Sequence, residues 1–205
     1  MTCLPATLRE FSWSAVCAVT PRRVAVLIVG AFLAAAGAVT PVARAQRAQA
    51  PEASVKAAFL CKFASYVEWP AQAFASPEAP FVIAVIGDHD VAAELARMVP
   101  TRALAGHPMV ERTLKEGDPV DGIHLLLIGT DAVNGRAETA RAARARGVLV
   151  VTESQRGLVA GSIINFVVSD DHVGFEVSLP AAERSGLKIS SRMLSVARRV
   201  VQASR

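Results

Sequence analysis

Cysteine is scarce in this chain: Cys3, Cys17 and Cys61 are the only three among 205 residues. The first two lie in an N-terminal segment with the pattern of a cleavable leader, so Cys61 would be the only thiol of the mature protein. One thiol cannot form an internal disulfide, although an oxidising compartment would permit one. Because Cys61 lies beside an aromatic helical stripe, we predict a small buried apolar residue. An intermolecular disulfide or a reactive thiol is the alternative.

Motifs that would identify an enzyme are also missing. The sequence has no G-x-S-x-G elbow of a serine hydrolase and no G-x-G-x-x-G turn after a strand. Its histidines lack the spacing of zinc ligands; they are His89, His107, His124 and His172. We therefore predict no catalytic, cofactor-binding or metal-binding residues, and no enzyme activity.

One short segment, Gly87–Asp90, could still carry chemistry. Its two carboxylates and one imidazole follow a predicted buried strand, at the edge where open α/β sheets bind ligands. They could hold a metal or act as acid and base. The simpler interpretation is that Asp88 or Asp90 caps the following helix. For His124, which lies within another apolar run, we predict a hydrogen-bonded core histidine rather than a ligand.

The longest apolar run of the sequence lies near its N-terminus. Val24–Val39 is an unbroken run of apolar and small residues, preceded by Arg22-Arg23 and followed by Ala43-Arg44-Ala45. The run of about 16 residues is shorter than the roughly 20 that span a membrane, and the two alanines fit a signal-peptidase site. We predict a signal peptide over residues 1–45, cleaved after Ala45, and a periplasmic location. An uncleaved anchor, the twin-arginine route and a misplaced start codon are the alternatives.

Charge is nearly balanced once this leader is set aside. Removing four of the 22 Lys and Arg and one of the 18 Asp and Glu leaves a net charge of +1, which does not favour a nucleic-acid partner. The remaining basic residues gather near the C-terminus, where we interpret them as the solvated face of a closing helix; they are Lys188, Arg192, Arg198, Arg199 and Arg205.

The mature chain alternates helical and strand patterns. After a flexible lead-in over residues 46–53, a helix with inward Phe59, Phe63 and Tyr66 is predicted to end at Trp69-Pro70. Buried strands are predicted at Phe81–Asp88, Gly122–Gly129 and Val148–Thr152, and an edge strand containing Pro108 at His107–Leu114.

A hairpin and a last helix complete the predicted domain, residues 54–202. The hairpin turns at residues 169–172, and the closing helix directs Ile189, Met193, Val196 and Val200 inward. The predicted fold is a single α/β domain: a mixed, mostly parallel sheet flanked by helices, with a C-terminal antiparallel hairpin and a closing helix.

Three segments in this order resemble the YfiR family of exported proteins. They are the helix end Glu68-Trp69-Pro70, the strand Ile164-Asn165-Phe166, and Leu187–Ser191. The resemblance extends from about Val55 to Val200. It implies a homodimeric periplasmic regulator that binds the periplasmic part of an inner-membrane diguanylate cyclase and inhibits it. Lower cyclic-di-GMP and less biofilm would follow.

The resemblance also implies a second partner, a peptidoglycan-associated outer-membrane lipoprotein that sequesters the regulator. Well-described members couple repression to redox state through disulfides; the lone Cys61 does not allow that control here. The alternative function is a periplasmic module that binds a small molecule or peptidoglycan fragment and reports it to a partner.

Four residues are candidates for a partner interface. Glu183, Leu187 and Ile189 lie on a predicted exposed connection, with apolar residues at its centre and charge at its rim. Trp69 ends the first helix, and an exposed tryptophan is a common interface anchor. The alternative is that Leu187 and Ile189 seat the last helix on the core.

Overall fold

The computed structural model describes residues 42–130, 132, 136–170 and 172–203. The helices within these ranges are α1 (Val42–Tyr66), α2 (His89–Met98), α3 (Arg136–Ala145), α4 (Leu179–Arg184) and α5 (Ser191–Leu194). The strands are β1 (Val67–Glu68), β2 (Phe81–Ile86), β3 (Ala103–Leu104), β4 (His107–Leu114), β5 (Leu125–Ile128), β6 (Leu149–Glu153), β7 (Ile164–Ser169), β8 (His172–Ser178), β9 (Lys188–Ile189) and β10 (Arg199–Val201). The predicted leader lies almost wholly outside these ranges, and its cleavage remains a prediction.

Eight of these strands form one sheet in the order β10-β8-β7-β6-β5-β2-β4-β3. Five neighbouring pairs are parallel, whereas β7–β8 and β3–β4 are antiparallel. The mostly parallel α/β domain with a C-terminal hairpin is therefore confirmed. β4 is separated from the edge only by the two-residue β3, with which Pro108 pairs, so this strand is peripheral as the proline indicated.

The central strands are buried on both faces of the sheet. Alternate residues serve two cores: Ile83 and Val85 belong to the core that includes α1, and Val82 and Ala84 to the core that includes α3. A strand covered on both faces requires an uninterrupted apolar run. That requirement explains why these strands could be predicted from their apolar runs in the sequence.

The aromatic stripe of α1 packs on the sheet, as predicted. Phe63 is buried, and its ring lies 4.9 Å from that of Phe175 in β8. The helix bounds differ from the prediction, because α1 includes residues 46–53 and ends at Tyr66. It ends there because the next two residues form β1, and the Tyr66 carbonyl accepts a hydrogen bond from the Ser190 amide at 2.9 Å.

The predicted closing helix is wrong. Residues 188–201 instead form β9, the four-residue α5 and β10, which extends the sheet beside β8. Ser190 caps α5 through its side chain, and Arg199 forms two hydrogen bonds to Glu176 of β8 at 2.8 and 3.0 Å. Val196 is 68 % exposed rather than inward, whereas Met193 is buried. Pairing with β8 outweighs the local helical pattern of this segment.

Candidate functional site

The structure brings three of the four predicted interface residues together. Ile189 lies in β9, which pairs with β1. Trp69 directly follows β1, and Leu187 directly precedes β9, so the register places both at the same end of this small ladder. Glu183 lies on α4, a few residues before β9, and is exposed.

Leu187 is not a surface residue: only 1 % of it is exposed. The expectation that it forms the apolar centre of an exposed connection is therefore wrong. Gly186, at φ 70°, turns the chain after α4, and the Leu187 amide donates to the Ala182 carbonyl at 3.0 Å. This turn directs the Leu187 side chain into the core, where it seats the C-terminal segment.

The outer face of the ladder carries charge, whereas its apolar residues lie on the core-facing side. The exposed Glu68 and Lys188 face each other with 3.7 Å between Oε2 and Nζ. Ile189 and Trp69 are half-buried, and the Trp69 indole donates to the Ala64 carbonyl at 3.0 Å. We call the surface at this ladder, with Glu68, Trp69, Lys188 and Ile189, the β1–β9 patch.

A second site lies at the carboxyl ends of β2, β5 and β6. From β2 the chain crosses to β4, and from β5 it crosses in the opposite direction to β6. Adjacent strands with diverging connections form the switch point where open α/β sheets bind ligands. The loops approach so closely that a Cβ on Gly129 would lie 2.3 Å from the Gly87 carbonyl oxygen.

The cavity at this switch point has a volume of about 160 Å³. Its polar lining comes from Glu52, Lys56, Asp88, Asp90, Thr130 and Glu153. Ligand pockets usually hold about 300–1,000 Å³, so this space is small for a metabolite. Within the described ranges, no group of three or more His, Cys, Asp or Glu residues could hold a metal ion.

Lys56 is the central feature of this cavity. Only 5 % of the residue is exposed, and its Nζ lies 2.5 Å from Glu52 and 2.6 Å from Glu153. Burial by itself lowers the pKa of the amine, but hydrogen bonds and charge from Glu153 and Glu52 outweigh burial. The pKa of Lys56 is therefore raised, and the side chain stays an ammonium ion that ties α1 to the end of β6.

This ion triad was not predicted from the sequence. The spacing of Glu52 and Lys56 is that of an i, i+4 helical pair, which was a usable local signal. Nothing local points to Glu153, which is 97 residues further along the chain.

Three predictions about single residues are confirmed. Asp88 caps α2, accepting a hydrogen bond from the Val91 amide at 3.0 Å. His124 is a buried histidine with hydrogen bonds at both ring nitrogens. Cys61 is a buried free thiol, and burial raises its pKa, which disfavours the reactive thiolate.

A shallow groove of about 440 Å³ adjoins the cavity and shares Thr130 and Glu153 with it. It follows the hairpin strands towards the Glu176–Arg199 ion pair. Asn165, at its buried base, accepts hydrogen bonds from the Thr152 hydroxyl and the Ser154 amide. The groove is open and is lined by apolar residues of β7 as well as polar ones, unlike the enclosed apolar pockets that bind drug-sized ligands.

Comparison with family models matches residues 53–198 to the YfiR/HmsC-like description, from α1 to the last residue before β10. The chain belongs to the YfiR/HmsC-like family. This membership confirms the resemblance carried by Glu68-Trp69-Pro70 and the two later segments, and it associates the chain with periplasmic regulation of diguanylate cyclases. A search of curated proteins found none that matches the chain. In residues 42–203, as far as they are described, no helix is long and apolar enough to cross a membrane.

Proposed function

We propose that this YfiR/HmsC-like protein is a periplasmic repressor that binds the periplasmic part of an inner-membrane diguanylate cyclase and holds the cyclase inactive. The observation that carries the proposal is the family match over residues 53–198. The leader pattern, with predicted cleavage after Ala45, supports delivery to the periplasm. Lower cyclic-di-GMP and reduced biofilm would be the cellular result.

The β1–β9 patch is our candidate for the contact with the cyclase. The exposed pair Glu68 and Lys188 lies on its outer face, and the half-buried Trp69 and Ile189 lie on its core-facing side. Partly exposed apolar side chains next to charged ones are typical of protein interfaces. Because Val67 and Leu187 anchor both sides of the ladder in the core, the patch is held rigidly, which lowers the entropic cost of binding.

Two further partners belong to the proposal. A homodimer and an outer-membrane peptidoglycan-associated lipoprotein that relieves repression are implied by the family resemblance. Both could be tested by pull-down of the tagged regulator from envelope extracts, with the cyclase and the lipoprotein each deleted in turn.

The first experiment measures cellular cyclic-di-GMP with this gene deleted and then restored on a plasmid. We expect a rise on deletion that the plasmid reverses. Unchanged cyclic-di-GMP, with the protein expressed and exported, would contradict repression. That result would favour a periplasmic module that binds a small molecule or peptidoglycan fragment.

A charge reversal tests the patch itself. Lys188 is exposed, so Lys188→Glu should leave folding intact while placing two acidic side chains together at the rim. We expect repression to weaken by about three- to tenfold in apparent affinity, since reversing one rim charge costs roughly 1 kcal/mol. Arg141→Glu is the matched control, because Arg141 is exposed on α3, beside the other core. Equal effects of both variants would refute the assignment of the patch.

A further inference from the structure

The edge of β7 beyond the end of β6 has no neighbouring strand in the described part of the chain. Glu153, the last residue of β6, pairs with Phe166, whereas β7 pairs with β8 as far as Ser169. Beyond Glu153 the chain leaves the sheet. The shallow groove of about 440 Å³ lies at this point, and its lining includes Gln155 and residues 165–168. The groove is therefore bordered by an open strand edge.

Backbone groups of Val168 face this open edge. The Ser178 amide of β8 donates to the Ile163 carbonyl at 2.8 Å. Successive residues of a strand direct their backbone groups to opposite neighbours. The carbonyls of Asn165 and Val167 therefore also face β8, and the N–H and C=O of Val168 face away from it. Val168 is 38 % exposed, and an exposed strand edge is a template for pairing with another chain.

The base of the groove carries a hydrogen-bond donor in a fixed orientation. Asn165 is 3 % exposed, and its Oδ1 accepts hydrogen bonds from the Thr152 hydroxyl at 2.9 Å and the Ser154 amide at 3.1 Å. Because a backbone amide can only donate, the oxygen must face Ser154 and Nδ2 must point elsewhere. Among the described residues Nδ2 has no acceptor, and no fully buried side-chain nitrogen lacks one, so Nδ2 reaches the groove.

The loop after β6 holds this amide in place. A Cβ on Gly157 would clash with Asn165 Oδ1 and with Thr152 Oγ1, so the loop backbone covers the oxygen side of Asn165. The donor is therefore preorganised, which lowers the cost of binding a carbonyl group. A row of carbonyl and N–H groups beside an open strand edge is what an extended polypeptide supplies.

The adjoining switch-point cavity adds a preference for positive charge. Its described lining contains four carboxylates and one cation, Lys56; the carboxylates belong to Glu52, Asp88, Asp90 and Glu153. Lys56 forms ion pairs with Glu52 and Glu153. A cavity of about 160 Å³ is small for a metabolite, but it has room for the ammonium end of one lysine side chain.

We propose that the groove binds an extended, lysine-containing segment of a partner protein. This segment adds to the open edge of β7 as a short strand, donates and accepts hydrogen bonds at Val168, and places one carbonyl on Asn165 Nδ2. Its lysine enters the switch-point cavity, where the negative charge complements the ammonium group. The site lies outside the β1–β9 patch, and the proposal goes beyond the repressor function and does not depend on it.

Two-dimensional NMR of the ¹⁵N-labelled purified protein tests the site. The probe is a pool of acetylated and amidated pentapeptides with lysine at the centre and Val, Thr or Ser at the other positions. At millimolar concentration we expect shifts of the Val168 amide and of the Asn165 side-chain NH₂ group. Unchanged resonances of the groove, or shifts confined to the β1–β9 patch, would overturn the proposal.

Two matched pools separate the contributions of charge and backbone. Norleucine in place of lysine keeps the aliphatic chain and removes the charge, so we expect binding to weaken about tenfold or more. N-methylation of alternate peptide amides removes N–H donors that a strand needs, and it should abolish the Val168 shift. Equal binding of the norleucine pool, or of the N-methylated pool, would contradict this mode of recognition.

A variant tests the buried donor. Asn165→Asp keeps an oxygen for the Ser154 amide and removes the Nδ2 donor, so the lysine pool should bind about three- to tenfold more weakly. Gln202→Glu adds the same charge at an exposed position outside the groove and should bind normally. Equal losses in both variants would refute the role of Asn165. Should Asn165→Asp fail to fold, the Asn165 NH₂ resonance of the unmodified protein decides: peptide binding without its shift would overturn the proposal.

Discussion

Replacing Lys56 by methionine tests the buried ion triad most directly. Methionine keeps most of the aliphatic volume of lysine, so the change removes the charge with little loss of packing. It leaves Glu153 and Glu52 without their cation, at side-chain exposures of 17 % and 33 %. We expect a clear loss of folding stability, because two partly buried carboxylates then lack a partner.

The magnitude follows from the degree of burial. Breaking a fully buried ion pair by removing one partner costs about 3–5 kcal/mol. Water still reaches part of both carboxylates here, so we expect about 2–4 kcal/mol. For a domain of about 160 residues each kcal/mol lowers the melting temperature by roughly 2–4 °C, which predicts a decrease of about 4–16 °C.

Urea unfolding followed by circular dichroism measures this loss. Lys62→Met is the matched control: Lys62 is exposed on the same helix, and the change should stay within about 0.5 kcal/mol. A double-mutant cycle with Glu153→Gln should give a coupling energy of about 1–3 kcal/mol. A loss below about 0.5 kcal/mol for Lys56→Met, or no coupling, would refute the reasoning.

Three further predictions follow from burial and close approach. Leu187→Ala should lower the free energy of unfolding by about 2–5 kcal/mol. Val159→Ala is the control and should change it little, because Val159 is 87 % exposed. Similar urea midpoints for the two variants would contradict the core position of Leu187. Gly129→Ala should destabilise more than Gly117→Ala, because a Cβ at Gly129 would lie 2.3 Å from backbone, whereas a Cβ at Gly117 meets no atom and adds only the strain of a φ of 88°; thermal melts would show the order. Cys61 should resist maleimide labelling until urea unfolds the chain, because its thiol is buried. Mass spectrometry of the peptide that contains Cys61 measures the labelling, and labelling of this peptide in the native protein would show an accessible thiol.

The candidate sites were only partly predictable. Trp69 and Ile189 were identified from residue type and position, yet their proximity depends on the β1–β9 ladder, which joins the two ends of the domain. Leu187 was misassigned because an apolar residue on a connection looks the same in sequence whether it points inward or outward. The direction is set by the turn at Gly186 and by the Leu187–Ala182 hydrogen bond.

Local patterns determined much of the fold. The runs at Phe81–Ile86 and Leu125–Ile128, the cap at Asp88 and the glycine after α3 report constraints that act over a few residues: burial on both faces, helix capping and a positive φ. These signals were sufficient for the α/β class and for the order of most elements.

Only the tertiary structure decided the rest. The segment ending in Val200 and Val201 has a helical pattern, but it forms a strand because β8 offers an unpaired edge and Glu176 binds Arg199. The Lys56–Glu153 pair and the His124 hydrogen bond with the Ala73 carbonyl likewise join residues far apart in sequence. Sequence periodicity reports which face of an element is apolar, whereas the partner of that face is chosen by packing and hydrogen bonding across the whole chain.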